Sequence, residues 1–154
     1  MADRVSASIT LGGTLSAADY AALCTIIASE DLSTDWDGDP FSSQHRTIGE
    51  PLRLFAHEVA LGRFEALEGW CVEKRLSFAR WSGGYPGQFG AQRLVFAGQG
   101  DPLVYAADEE DQIVLPRTTI EQLGSFDAVM AYFEAADCPV PALIVEGERA
   151  REQG

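Results

Sequence analysis

Hydrophobic and polar residues alternate at the start of the chain and then change to a helical spacing. Residues 5–11 read Val-Ser-Ala-Ser-Ile-Thr-Leu, which is the two-residue period of a strand with one buried face. Gly12-Gly13 predicts a turn after this strand, and Ser16 can cap a helix in which Asp19 takes the capping-box position. The apolar stripe of that helix consists of Tyr20, Leu23, Ile26 and Ile27. The chain is therefore predicted to begin with a strand followed by an amphipathic helix.

A strand–helix–strand order is predicted twice. The first unit ends with a candidate strand at 33–36 and is followed by a polar loop at 39–50. The second unit has a strand at 52–59, a helix at 63–75 and a strand at 77–81. A shift of 44 residues aligns Tyr20 with Phe64 and Leu23 with Leu67. Two strand–helix–strand units predict a ferredoxin-like, split βαβ core over about residues 1–84. The alternative is that there is no repeat, because any two amphipathic helices that are each followed by a strand would align equally well.

Three short strand candidates follow Gly90 and predict an antiparallel meander. They cover residues 93–97, 103–107 and 112–115. Thr118 and Glu121 have capping-box spacing for a short helical turn that Gly124 interrupts, and Ser125 begins a further helix. A last strand is expected at 143–145. The predicted fold class is α+β with a mainly antiparallel sheet and three helices, forming one domain over residues 1–146 with a polar tail over 147–154.

The composition is that of a soluble globular domain. Of the 154 residues, 46% are hydrophobic and 23% are charged, which are ordinary values for such proteins. No apolar run approaches the roughly 18 residues needed to span a bilayer, and the first residues lack a signal-peptide core. Cys24, Cys71 and Cys138 are far apart and are expected to be buried free thiols. We therefore expect a cytoplasmic protein that does not bind membranes.

Negative charge is the strongest departure from average composition, and it is unevenly distributed. The net charge is −13, with an excess of acids in residues 1–45 and 94–154 and a slight excess of bases in residues 46–93. Acidic residues concentrate in residues 30–39 and in Asp108-Glu109-Glu110-Asp111. Such a field disfavours direct binding to nucleic acid or to an anionic membrane and favours a basic protein partner. The alternative is that the charge serves only solubility.

Catalytic and metal-binding patterns are weak. Residues 35–39 alternate carboxylates, but their glycine and the residue at the twelfth position do not fit a calcium loop. His45 and His57 form no spaced ligand pair, and no phosphate-binding glycine pattern is present. His57 is the only plausible general base, and it would need Cys71 or a serine brought to it by the fold. The sequence thus predicts no catalytic residue, no metal and no cofactor, and favours a protein that is not an enzyme.

The loop at residues 81–90 is the most unusual segment, with four glycines, one proline and three aromatic residues. Aromatic and arginine side chains are enriched at binding hot spots. The predicted binding residues are Arg80, Trp81, Tyr85, Phe89, Arg93, Asp108, Glu109, Glu110 and Asp111. The leading hypothesis is a non-enzymatic interaction module, acting as an inhibitor that imitates a nucleic-acid backbone toward a basic partner. The alternatives are a small-molecule or enzymatic pocket near this loop, and a homo-oligomeric structural component.

Overall fold

The computed structural model describes residues 4–36, 38–85, 87 and 89–147. Its elements are β1 (Arg4–Leu15), α1 (Ala17–Ser29), β2 (Leu52–Ala60), α2 (Glu65–Lys74), β3 (Ser77–Ser82), β4 (Gln92–Phe96), β5 (Leu103–Ala106), α3 (Arg117–Leu123), α4 (Phe126–Ala136) and β6 (Leu143–Val145). The α+β class with a mostly antiparallel sheet is confirmed. Within the described ranges there are six strands and four helices, so the prediction of three helices is wrong. Apart from Gly147, the predicted polar tail lies outside the described residues.

The strands form one sheet in the order β2-β1-β3-β4-β5, and neighbours along this path are antiparallel. In the middle of the sheet, Ile9 of β1 pairs with Leu54 of β2 on one side and with Arg80 of β3 on the other. The end of β1 pairs in parallel with β6. The central position of β1 explains its strong alternating pattern, because one of its faces is covered by the main core.

The predicted turn at Gly12-Gly13 is wrong, because β1 continues through both glycines to Leu15. A Cβ at Gly12 would lie 1.7 Å from the main-chain oxygen of Pro141, so the strand needs glycine for a close backbone approach. Gly13 has a φ of 133°, which other residues rarely adopt. The glycine pair therefore lets β1 continue into its parallel pairing with β6 instead of ending the strand.

The ferredoxin-like core is not confirmed. Its predicted second strand at 33–36 is not a strand, since Ser33 forms only isolated bridges with Pro40 and Phe55. The other three strands of the predicted unit are neighbours, with β1 between β2 and β3. Among the described residues of 1–84, three strands of the split βαβ arrangement are therefore present and the second is absent.

The predicted strand at 112–115 is also absent. Asp108 accepts hydrogen bonds at Oδ1 from the amides of Glu110 and Gln112, both at 2.9 Å, and this holds the chain in a tight turn. Ile113 then makes only an isolated bridge to Ala107. The turn chemistry of Asp108 thus takes the place of strand pairing in this segment.

Two of the three predicted side-chain caps at helix starts are confirmed. Ser16 Oγ accepts from the amide of Asp19 at 3.0 Å, and Ser125 Oγ accepts from the amide of Ala128 at 3.1 Å. The capping box of Thr118 is wrong, because the N-cap of α3 is Pro116, two residues earlier, and α3 has no side-chain cap. Proline fixes a φ suited to a helix entry, which makes a side-chain cap less necessary.

The main core lies between one face of the sheet and helices α1 and α2. Fully buried side chains from both layers meet there, namely Ile9, Leu11, Leu23, Ile27, Leu54, Leu67, Cys71 and Phe78. On the other face, Ala136 of α4 packs on Val95 and Tyr105. The middle of this second face, over β1, β2 and β3, is not covered in the same way and forms a groove. No helix among the described residues is long and apolar enough to cross a membrane.

Candidate binding groove

A groove of about 690 Å³ runs across the sheet face opposite α1 and α2. Its floor is formed by side chains that alternate with the core residues, including Ser8 and Thr10 of β1, Phe55 of β2, and Ala79 and Trp81 of β3. The volume lies within the range of roughly 300–1,000 Å³ that is usual for ligand sites. The uncovered centre of the sheet is therefore a concave surface large enough to bind a ligand or a side chain of a partner.

Aromatic rings form one part of the groove. Trp36, which is 38% exposed, lies 4.9 Å from Phe55 and 6.3 Å from Trp81 between ring centroids. The rings of Trp36 and Trp81 are nearly perpendicular, at 85°. Trp81 is fixed by its indole Nε1–H, which donates to the main-chain oxygen of Asp108 at 2.9 Å. This arrangement presents apolar ring surface beside polar side chains, as binding hot spots commonly do.

Carboxylates form much of the remaining wall. They belong to Glu50, Glu109, Glu110, Asp111 and Asp137. Two guanidinium groups, those of Arg53 and Arg93, also line the groove. The formal charge of the lining is therefore negative, in agreement with the acidic sequence.

The acidic turn 108–111 is held by its own hydrogen bonds. Asp108 closes the turn through Oδ1, as described above. Glu109 Oε2 accepts from the amide of Gly84 at 2.9 Å, which ties the turn to the chain after β3. Asp111 has a left-handed φ of 60° and pairs with Arg93. The four acidic residues thus have different roles, and Asp108 and Asp111 are partly structural.

Arg93 connects two walls of the groove. Its Nε donates to Asp111 Oδ1 at 2.9 Å and its Nη2 to the main-chain oxygen of Asp111 at 2.5 Å. Its Nη1 donates to the main-chain oxygen of Ala136 at 2.8 Å and to Asp137 Oδ1 at 2.7 Å. The acidic turn and the end of α4 are therefore fastened to β4 by one side chain.

The structure brings together five of the nine predicted binding residues. Trp81, Arg93, Glu109, Glu110 and Asp111 all line the groove. Asp108 supports it through its main chain. Tyr85 and Phe89 are not in the lining; they are joined by two mutual main-chain hydrogen bonds, and their ring centroids are 6.2 Å apart. These aromatic residues are half-exposed and are available for contact.

Arg80 is placed differently. Because Arg80 and Trp81 are adjacent in β3, they point to opposite faces of the sheet, and Arg80 is only 2% exposed. Its Nη1 donates to the main-chain oxygen of Gly62 at 2.6 Å, and its Nε lies 3.4 Å from Glu68 Oε2. Burial lowers the pKa of Arg80 and raises the pKa of Glu68, in each case against the attraction of the partner. Arg80 is therefore part of the buried side of the sheet and not of the groove.

Sequence reasoning missed several groove residues. Trp36 falls in a predicted short strand, and Phe55 and Asp137 fall in elements for which the sequence predicts no role in binding. Strand alternation does place Phe55 on the face opposite Leu54, so this residue could have been found. Asp137 lies 44 positions from Arg93, and only the fold joins them.

The comparisons with known proteins give no family. No protein-family model, no curated protein and no solved structure matches this chain. The function must therefore be argued from the residues and their geometry.

Among the described residues, a contact between a serine and a histidine is a geometric candidate for catalytic chemistry. Ser6 Oγ and His57 Nδ1 lie 3.2 Å apart at the bulge between β1 and β2. They line a smaller depression of about 390 Å³ with Gly84 and Tyr85. Cys71 is fully buried, and burial raises its pKa to about 12, so it cannot serve as a nucleophile. Among the residues with described placement, no three His, Cys, Asp or Glu side chains are grouped as a metal site would require.

Proposed function

We propose that this protein is a non-enzymatic interaction module that binds a basic protein partner through the groove. The observation that carries this proposal is the grouping of five carboxylates with three aromatic rings in one concave surface. One of the two arginines in the lining, Arg93, is already paired with Asp111 and Asp137. The groove therefore offers negative charge and ring surface together.

Aromatic surface and charge serve different purposes in such a complex. Ring surface supplies most of the affinity when it is buried, whereas complementary charge accelerates encounter and excludes wrong partners. A net charge of −13 extends this attraction beyond the groove, within a Debye length of roughly 8–10 Å at physiological salt. A basic protein fits both properties, whereas the negative charge disfavours the phosphate backbone of a nucleic acid.

The narrower proposal is that the partner is itself a nucleic-acid-binding protein. In that case the carboxylates of the groove occupy the place of phosphates on the partner's basic surface, and the module acts as an inhibitor. This version predicts that the module and nucleic acid compete for the partner. Simultaneous binding of both would leave the interaction module in place and refute the mimicry.

The test is a pull-down with tagged protein from a lysate of the organism that encodes it, eluted by rising salt and analysed by mass spectrometry. The variant Glu109→Gln/Glu110→Gln removes two groove charges and changes side-chain volume very little. The control Asp101→Asn/Glu134→Gln removes two exposed charges outside the groove lining. A basic partner should elute at lower salt from the groove variant than from the control.

Asp108 and Asp111 are left unchanged in this test because their removal would loosen the turn itself. If both double variants release the partner at the same salt concentration, the groove does not carry the interaction. If no basic protein is retained by the wild-type chain, the proposed function is wrong.

A second candidate function rests on the contact between Ser6 and His57. A serine hydrogen-bonded to histidine is the first requirement of nucleophilic catalysis, and Gly83 and Gly84 line the same depression. A fluorophosphonate probe tests this directly. Labelling that disappears in Ser6→Ala and in His57→Ala would establish a hydrolase-like site, whereas an unlabelled wild-type protein would exclude an activated Ser6.

A further inference from the structure

We propose that the groove recognises an arginine side chain of the partner, which stacks on the exposed ring of Trp36 beside Trp81 and pairs with the carboxylate of Glu109. This inference rests on the proposed function and specifies the chemistry of its contact. An arginine is the expected occupant because ring surface and a fixed carboxylate lie side by side in the groove.

The aromatic part is suited to a flat cation. Trp36 packs against Phe55 and meets Trp81 nearly edge-on, so rings at two different orientations border the same space. Trp36 keeps 38% of its surface exposed, whereas Trp81 keeps 8%. A cation placed on the face of tryptophan is attracted by the ring's quadrupole, and tryptophan is the strongest of the aromatic side chains in this respect.

The carboxylate of Glu109 is held next to this ring surface. Gly83 leaves open a Cβ position that lies 3.0 Å from Glu109 Oε1 and 3.4 Å from Trp81 Cη2. The other oxygen, Oε2, accepts from the amide of Gly84. The carboxylate is therefore oriented before any partner arrives, which reduces the entropy lost on binding.

Arginine satisfies both parts better than lysine does. Its guanidinium is planar and weakly hydrated, stacks on aromatic faces and pairs with a carboxylate through two parallel N–H groups. Lysine offers a compact and strongly hydrated charge without this planar geometry. Arginine is also a residue that pairs with phosphates in nucleic-acid-binding proteins, which agrees with carboxylates acting as phosphate mimics.

The experiment is an NMR titration of the full ¹⁵N-labelled chain with three peptides at low salt. The peptides are acetyl-Gly-Arg-Gly-Arg-Gly-amide, its lysine counterpart and its citrulline counterpart, which has nearly the shape of arginine but no charge. Trp36, Trp70 and Trp81 supply three indole N–H signals, and Trp70 of α2 packs against the core on the other face of the sheet. The arginine peptide should shift the signals of Trp36 and Trp81 and leave that of Trp70 unchanged.

Two variants locate the contact. Trp36→Leu and Glu109→Gln should each weaken binding of the arginine peptide by roughly 3- to 30-fold, whereas Asp101→Asn should change it less than about 2-fold. Glu109→Gln keeps the shape of the site, so it tests the contact even if Trp36→Leu disturbs the loop that carries Trp36. The lysine peptide should bind more weakly and the citrulline peptide should not bind.

The outcomes separate this inference from the proposed function. If the basic peptides bind to the groove but the two tryptophan signals stay in place, or if citrulline binds as well as arginine, the arginine site is wrong while the interaction module stands. If none of the basic peptides binds and the pull-down retains no basic protein, the proposed function fails as well.

Discussion

Replacing Arg93 should reveal how much of the groove depends on one side chain. Arg93→Met keeps most of the aliphatic stem and removes all four hydrogen bonds from the guanidinium. Arg93 is only 12% exposed, whereas Asp111 and Asp137 are 45% and 63% exposed. The two carboxylate contacts are therefore partly screened by water, and the two main-chain acceptors carry a comparable share.

The magnitude follows from these four contacts. Each hydrogen bond to a main-chain oxygen contributes about 1 kcal/mol, and each partly exposed ion pair about 0.2–1 kcal/mol. Arg93→Met should therefore lower the free energy of unfolding by about 2–4 kcal/mol, or lower Tm by roughly 5–12 °C at this chain length. Arg93→Lys keeps the charge but cannot reach all four acceptors, so it should lose about half as much.

Urea denaturation followed by circular dichroism measures this difference. The control is Arg117→Met, because Arg117 is 90% exposed and pairs only with Glu121 one helical turn away. It should change the unfolding free energy by less than about 0.5 kcal/mol. A loss below about 0.5 kcal/mol for Arg93→Met, or an Arg93→Lys variant as stable as wild type, would refute the role of Arg93 as a clamp.

Three further predictions test the buried side of the sheet. Gly12→Ala should destabilise the fold by about 3 kcal/mol or more in urea denaturation, because the new Cβ would meet the main chain of Pro141. Gly69→Ala, on the open surface of a helix, should instead raise the free energy of unfolding by roughly 0.5–1 kcal/mol. Equal effects of the two changes would contradict this. Burial raises the pKa of Glu68, so the folded state keeps the proton of this carboxyl group to higher pH than the unfolded state does. The contribution of Glu68 to the free energy of unfolding should therefore fall as the pH rises above about 4.5. The stability of wild type relative to Glu68→Gln should therefore decrease across that window, and a pH-independent difference would be evidence against it. Cys71 is fully buried, so a thiol reagent at pH 8 should label it only after the protein has unfolded. Labelling of all three cysteines in the native protein would contradict this prediction.

Local patterns in the sequence predict most of the secondary structure. The alternation of residues 5–11 and the serine caps at Ser16 and Ser125 depend only on neighbouring residues, and the structure agrees with them. Gly12 was misread because the contact that requires glycine comes from Pro141, far away in the chain. The number of helices differs because the sequence predicts only a short helical turn before Gly124, whereas residues 117–123 form the helix α3.

The groove shows the same division between local and distant information. Trp81 and Arg93 face it from adjacent strands, as residues paired directly across β3 and β4, so a cluster close in sequence also lies close in space. Trp36 and Asp137 line the groove from parts of the chain that are about 100 residues apart. Their contribution depends on how α1 and α4 place the loops that follow them, which composition and periodicity do not reveal.

The clamp formed by Arg93 also separates two accounts of binding to a basic partner. If charge alone determined affinity, Arg93→Met would strengthen binding, because it removes a positive group from the wall of an acidic groove. We expect the reverse. Without the guanidinium, the acidic turn and the end of α4 lose their common attachment to β4, and Asp111 and Asp137 repel each other. Affinity for the arginine peptide, measured by the same titration at a temperature where both proteins are folded, should fall by roughly 3- to 10-fold. Stronger binding by Arg93→Met would show that the fixed shape of the groove matters less than its charge.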